Sequence, residues 1–171
     1  MKRLILSLLI IGCLFSSGCG DPSRPKDLPK LYPVKLTFTQ EGKPLENAMV
    51  VLKNVDPSFK WSVMATTDAT GLADIVSHGQ FFGAPEGQYK ITVIKEVQES
   101  AKGLTPQDEN VDPAASVYSR GMITVYTLVE KQYTTEETTP IEITVSRKKA
   151  DNIKSFEVGK SIRELSRRVA P

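Results

Sequence analysis

The chain has 171 residues, 40% of them hydrophobic and 25% charged, with 22 basic against 20 acidic side chains and a single histidine. That length suits one ordinary domain with a targeting segment and some linker, and makes two full domains unsuitable. Setting aside Lys2 and Arg3 in residues 1–18 leaves 20 basic and 20 acidic groups, a neutral balance that argues against nucleic acid as a partner.

The first stretch, "MKRLILSLLIIGCLFSSG", starts basic, runs apolar from Leu4 to Phe15 and ends on small residues, which is the pattern of a signal peptide over residues 1–18. A transmembrane helix needs about 20 apolar residues, more than this run supplies. Both cysteines, Cys13 and Cys19, lie within or at the end of the segment, so the folded part carries no disulfide framework. "SSGCG" resembles the lipobox of bacterial lipoproteins, whose cysteine is diacylated on sulfur and becomes the new N-terminus. Ser17, Gly18 and Cys19 match it, while Ser16 stands where leucine or another aliphatic residue is usual. "IIGC", ending at Cys13, fits the local pattern better, but cleavage there leaves only Leu4–Gly12 as the apolar run, and Cys19 is the favoured lipidation site. The resemblance implies an exported lipoprotein held by membrane lipid through acylated Cys19. Gly20 after the cysteine implies the outer membrane, with the protein facing the periplasm or the cell surface.

Residues 19–32 then read as the lipidated N-terminus and a proline-rich tether, with Pro22, Pro25 and Pro29 spread among charges and Pro33 just beyond. From Val34 the period becomes two. "VKLTFTQ" alternates Val34, Leu36 and Phe38 with Lys35, Thr37 and Thr39, the mark of a half-buried strand. A turn at "EGKP" follows, then the β-rich runs "NAMVVLKNV" and "WSVMATT", the Asp-initiated turn "DATG" at 68–71, and a strand "LADIVS". In "GAPEGQYKITV" the glycines and Pro85 end a loop, and Tyr89, Ile91 and Val93 fall on one face of a core strand, so these turn residues are read as serving the fold and cradling nothing. Tyr89 can place its ring in the core and its hydroxyl on backbone.

A long loop insertion is expected at about 97–121, where no period is sustained and Pro106 and Pro113 intervene. "MITVYTLVE" and "PIEITVS" read as two further strands around the threonine-rich "KQYTTEETT". Residues 148–171 form a basic C-terminal tail. From Arg147 on there are eight basic and three acidic side chains, and Ile162, Leu165 and Val169 at helical spacing suggest a short final helix. The tail's charge opposes the acidic stretch Glu96–Glu137, which leaves it either solvated or in contact with anionic lipid or a partner protein. About seven strands and no long helix indicate an all-β fold, a single antiparallel β-sandwich over residues 33–147 behind the signal peptide and tether.

Three stretches, "YPVKLTFTQEGKPLENAMVVL", "TTDATGLADI" and "GAPEGQYKITV", are together similar to the carboxypeptidase regulatory-like domain, a transthyretin-like (prealbumin-like) sandwich, and to its versions in small bacterial lipoproteins. "LVEKQYTTEETTPIEITVS", with Tyr133 in its turn, resembles the family's late segment. Leu36, Thr70 and Ala73 depart from residues common there, namely glycine, aspartate and an aromatic. The resemblance implies the fold and no enzymatic activity.

The chemistry-bearing residues are sparse. His78 is the only histidine and no cysteine follows Cys19, so a zinc site has no ligand set and no metal is expected. The chain has no G-x-S-x-G elbow and no phosphate-cradling glycine loop, so no catalytic residue is assigned and no cofactor is implied. The 5-hydroxyisourate hydrolases of the transthyretin group use several histidines and a "YRGS"-type end, against one histidine and "RRVAP" here. Asp108, Glu109 and Asp112 in "PQDENVD" lack EF-hand spacing and read as a solvated acidic loop. Trp61, Phe81 and Phe82 remain as candidate ligand-contact aromatics beside the reading of core packing. The expectation is a non-enzymatic, lipid-anchored cell-envelope protein whose sandwich mediates protein interaction or structural support. The alternative is a module that binds carbohydrate or cell-wall glycan.

Overall fold

Alternation sets the two central strands. In β2 (Lys35–Gln40) Leu36 and Phe38 are fully buried while Lys35 is exposed, and in β10 (Gly87–Ile94) Tyr89, Ile91 and Val93 are fully buried. The computed structural model describes residues 24–100 and 123–169, and within them the fold is all-β, with fifteen strand segments and two short 3-10 turns.

β10 lies inside a six-stranded antiparallel sheet of order β13 (Glu142–Val145), β10, β4 (Met49–Asn54), β5 (Val63–Thr66), β7 (Val76–Ser77), β8 (Phe81–Phe82). β2 is central to a second sheet, between β14 (Ile153–Glu157) on one side and β3 (Lys43–Pro44) and β6 (Leu72–Asp74) on the other. Inward residues of both sheets join one core, in which Leu36, Phe38, Ala73 and Val158 meet Val50, Leu52, Ile91, Val93, Ile143 and Val145. The predicted strand "LADIVS" changes sheet at Ile75. β6 pairs with β2, β7 pairs with β5, and between them the Ile75 N–H donates to the Val34 carbonyl at 3.2 Å while its own carbonyl accepts from Gly83 N–H at 2.7 Å. Tyr89 is wholly buried, donates its hydroxyl to the Pro85 carbonyl at 2.9 Å, and has its pKa pushed up by burial.

Three segments differ from their sequence reading. The residues predicted as a short final helix form β15 (Ser161–Val169), which pairs with β12 (Ile123–Val129), itself paired with β11 (Glu96–Ser100). A helix does not form because backbone bonding to β12 satisfies this segment, with register shifts at Val125/Tyr126 and Thr127/Val129. The stretch read as a basic tail is thus built into the fold. β14 pairs in parallel with β2, Arg163 and Arg167 bond to Glu99 and Glu96 of β11, and the Arg163 guanidinium lies 4.4 Å from the Tyr126 ring centre. The start of the loop read at about 97–121 is likewise β11; the rest of it, including Asp108, Glu109 and Asp112, lies outside the described residues, as does Cys19.

Asn152, fully buried at the end of the last 3-10 turn (Lys149–Asn152), joins these parts. Its Oδ1 accepts from Ser146 N–H at 2.9 Å, and its Nδ2 donates to the Ser146 carbonyl at 2.9 Å and the Pro33 carbonyl at 3.2 Å. Asn152→Ala strips partners from three backbone groups and is expected to cost about 1–3 kcal/mol in urea unfolding. An unchanged midpoint would show that water replaces the amide there.

Candidate functional site

Two places on the surface bring distant residues together. The first is the β8 edge of the six-stranded sheet, where the candidate aromatics lie beside the N-terminal segment and Phe81 meets it directly. The tether was read as free to residue 32, but its latter part is docked. Leu28 is 6% exposed, β1 (Leu31–Tyr32) pairs with β9 (Ala84–Pro85), and Arg24 places its guanidinium 5.6 Å from the Phe81 ring centre. Close approach at β9 depends on Gly83, whose φ is +100° and where a Cβ would stand 2.4 Å from the Tyr32 carbonyl oxygen.

Trp61 is half-buried and meets His78 edge to face at 5.3 Å, while Lys60 sits 5.3 Å over its ring and forms an ion pair with Asp27. Two of the three aromatics therefore engage the chain's own side chains. Phe82, at 77% exposure, projects into solvent. Through cross-strand register it continues the row Val51, Met64, Val76 on the face opposite the core.

The second place is a cleft with an open volume of about 830 Å³ where β1, the β4–β5 connection and the start of β10 converge. Tyr32 and Phe59 give it aromatic walls, Pro29 and Pro85 rigid apolar ones, and Asn54, Gln88, Asp56, Glu86 and Arg147 its polar rim. Phe59 is held edge-on to Tyr89, with ring centres 6.0 Å apart, and Lys30 lies 5.5 Å over the Tyr32 ring. The Pro85–Gln88 turn read as serving the fold alone also builds this wall.

Charges on the rim are fixed locally. The Asp56 carboxylate accepts from the Ser58 hydroxyl at 2.8 Å and the Ser58 N–H at 2.9 Å, which holds its pKa below the usual carboxylate value. Arg147 donates from Nε to Glu86 at 3.1 Å, which raises its pKa further above the ordinary guanidinium range. No family model matches the chain, and no curated protein or solved structure matches it significantly.

Sequence reasoning found Phe81 and Phe82 because they are flanked by glycines, and Trp61 because it is the one tryptophan. It missed Tyr32, Phe59 and Arg147, which lie far apart in sequence and carry no shared local pattern.

Proposed function

We propose that this chain is a non-enzymatic, lipid-anchored cell-envelope protein whose β-sandwich, of the carboxypeptidase regulatory-like (transthyretin-like) kind, receives an extended segment of a partner protein in the Tyr32–Phe59 cleft. The motifs that suggest the family fall at structural joints. "GKPL" lies at the β2–β3 turn, Asp68 of "TDATG" accepts from the N–H groups of Thr70 and Leu72 at 2.8 and 2.9 Å, and Tyr89 of "GQY" is locked to the Pro85 carbonyl. The lipobox-like "SSGCG" supports anchoring through Cys19.

What favours a binding role is the make-up of the cleft, in which aromatic and proline walls stand beside charges held by local partners, Asp56 by Ser58 and Arg147 by Glu86. Aromatic and proline walls match the way grooves take extended, proline-rich or strand-like peptides.

A photo-crosslinking residue at Gln88, in native cells, is expected to give one recurrent protein adduct that is absent from the same probe at the exposed Lys43 in β3. Phe59→Ala should lower its yield by about tenfold, the loss of one buried aromatic anchor. Mass spectrometry of the N-terminal peptide should show acylated Cys19. A second reading, glycan binding, is favoured by the Asn54 and Gln88 amides beside the Tyr32 and Phe59 rings. Recovery of glycan without protein from the Gln88 probe would replace the first reading with the second, and equal adducts from Gln88 and Lys43 would remove the cleft from both.

A further inference from the structure

The docked N-terminal segment fixes where the chain leaves the body. Arg24 is held over Phe81, its Nη2 donates to the Pro29 carbonyl at 3.0 Å, Leu28 is buried, and Asp27 is paired with Lys60. Arg24 is only five positions after Cys19. Even fully extended, five residues reach no further than about 18 Å. If Cys19 carries the acyl chains, Arg24 and the β8 edge beside it are held within about 18 Å of the anchored residue.

The composition of that edge suits the place. Phe82 is the most exposed large hydrophobic residue among those described, at 77%. Along the same edge, residues 24–28, 60–61 and 78–82 carry the cations Arg24, Lys26 and Lys60 and the carboxylate Asp27, with Asp27 paired to Lys60 and Arg24 on Phe81, the neighbour of Phe82 that faces the other side of the strand. An aromatic ring prefers the headgroup boundary, and each cation close to an anionic leaflet strengthens association by about fivefold.

We infer that the β8 edge, with Phe82 as its apolar contact and Arg24, Lys26 and Lys60 as its cations, rests on the anionic lipid surface to which the chain is tethered. The inference rests on the lipidated-Cys19 reading and goes beyond it, because a lipid anchor alone says nothing about which face meets the membrane. It also orients the body: Trp61 and Phe81 fasten the segment that brings Phe82 down, and the residues earlier weighed as a ligand platform become the base of the molecule.

The test uses the full lipidated chain. With Cys13 removed with the signal peptide and Cys19 acylated, the mature protein has no free thiol, so an introduced cysteine takes a fluorescent label alone. Phe82→Cys and, in the exposed turn beside it, Gln80→Cys are compared with Lys43→Cys after reconstitution into phosphatidylglycerol–phosphatidylethanolamine vesicles. Labels at 82 and 80 are expected to be quenched by lipid-borne nitroxide and to be several-fold less accessible to iodide than the label at 43. Equal iodide accessibility at all three positions, in protein that floats with the vesicles, overturns the inference and leaves the anchor standing. Shielding from iodide without nitroxide quenching also overturns it, since another protein surface would then cover the edge. Protein that fails to float and labels at Cys19 removes the anchor and this inference together.

Discussion

Deleting residues 153–171 is expected to abolish the cooperative unfolding transition rather than merely shorten the protein. β14 covers one whole side of β2, pairing Ile153–Glu157 with Lys35–Thr39. Just beyond it Val158 is fully buried in the common core, and its N–H donates to the Thr39 carbonyl at 2.9 Å. Phe156 packs against Phe38 with ring centres 5.6 Å apart. Without these residues Leu36 and Phe38 lose cover and β2 becomes an open edge. Each fully buried side chain of this size contributes about 1.5–3 kcal/mol, against a total stability of about 5–15 kcal/mol for an ordinary domain. Removing Val158 and the partly buried Phe156, uncovering Leu36 and Phe38, and breaking a strand's backbone bonds together exhausts that margin. Val158→Ala is the graded version, expected to cost about 2–3 kcal/mol. Urea titrations decide it: a truncated chain that unfolds at the full-length midpoint would show that the C-terminal stretch is a solvated tail.

The reason this stretch misled sequence reading is physical. Period two is visible where one face of a strand is buried, and β2 and β10 were legible because Leu36, Phe38, Ile91 and Val93 enter the core while their neighbours do not. β15 has no such contrast, since from Arg163 to Arg167 it is exposed throughout. Its bulges also change the spacing. Thr127 and Val129, two apart, face Glu164 and Ser161, three apart, so Ile162 and Leu165 fall at a helix-like interval on a strand. Charge gave a better clue. The acidic run near Glu96 and the basic run near Arg167 are complementary because they sit on strands of one sheet, where Arg167 bonds Glu96 with both guanidinium nitrogens at 2.9 and 3.0 Å.

The cleft was illegible for another reason. Its walls come from β1 and the residues before it, a β4–β5 connection, a β9–β10 turn and the second residue after β13, and only the fold's closure makes Tyr32, Phe59 and Arg147 neighbours. The docked tether shares this property, since Leu28 and Leu31 show no period and become significant only through β9 and β8. Readable periodicity reports burial along one strand. Sites assembled from loop ends report topology, which one strand does not carry.

Topology also concentrates sensitivity at single backbone positions, and Gly71 is where the effect should be largest. It ends the "DATG" turn with φ +77°, and its carbonyl accepts from Phe38 N–H at 2.8 Å. A Cβ there would stand 2.3 Å from the Phe38 carbonyl oxygen and 3.2 Å from the Leu45 nitrogen. Those two atoms are themselves hydrogen-bonded at 2.9 Å, so neither can retreat without breaking the join between β2 and the residue that follows β3. Gly42 offers the control, with a similar φ of +73° and nothing within 4 Å of its Cβ position. Gly42→Ala should cost only the left-handed penalty, about 1 kcal/mol. Gly71→Ala carries the same penalty plus backbone collision and is expected to cost on the order of 3–4 kcal/mol. Comparing the two urea midpoints separates conformational strain from steric exclusion. Equal losses would mean that the Asp68 turn shifts freely away from β2, and that Gly71 is required for its φ alone.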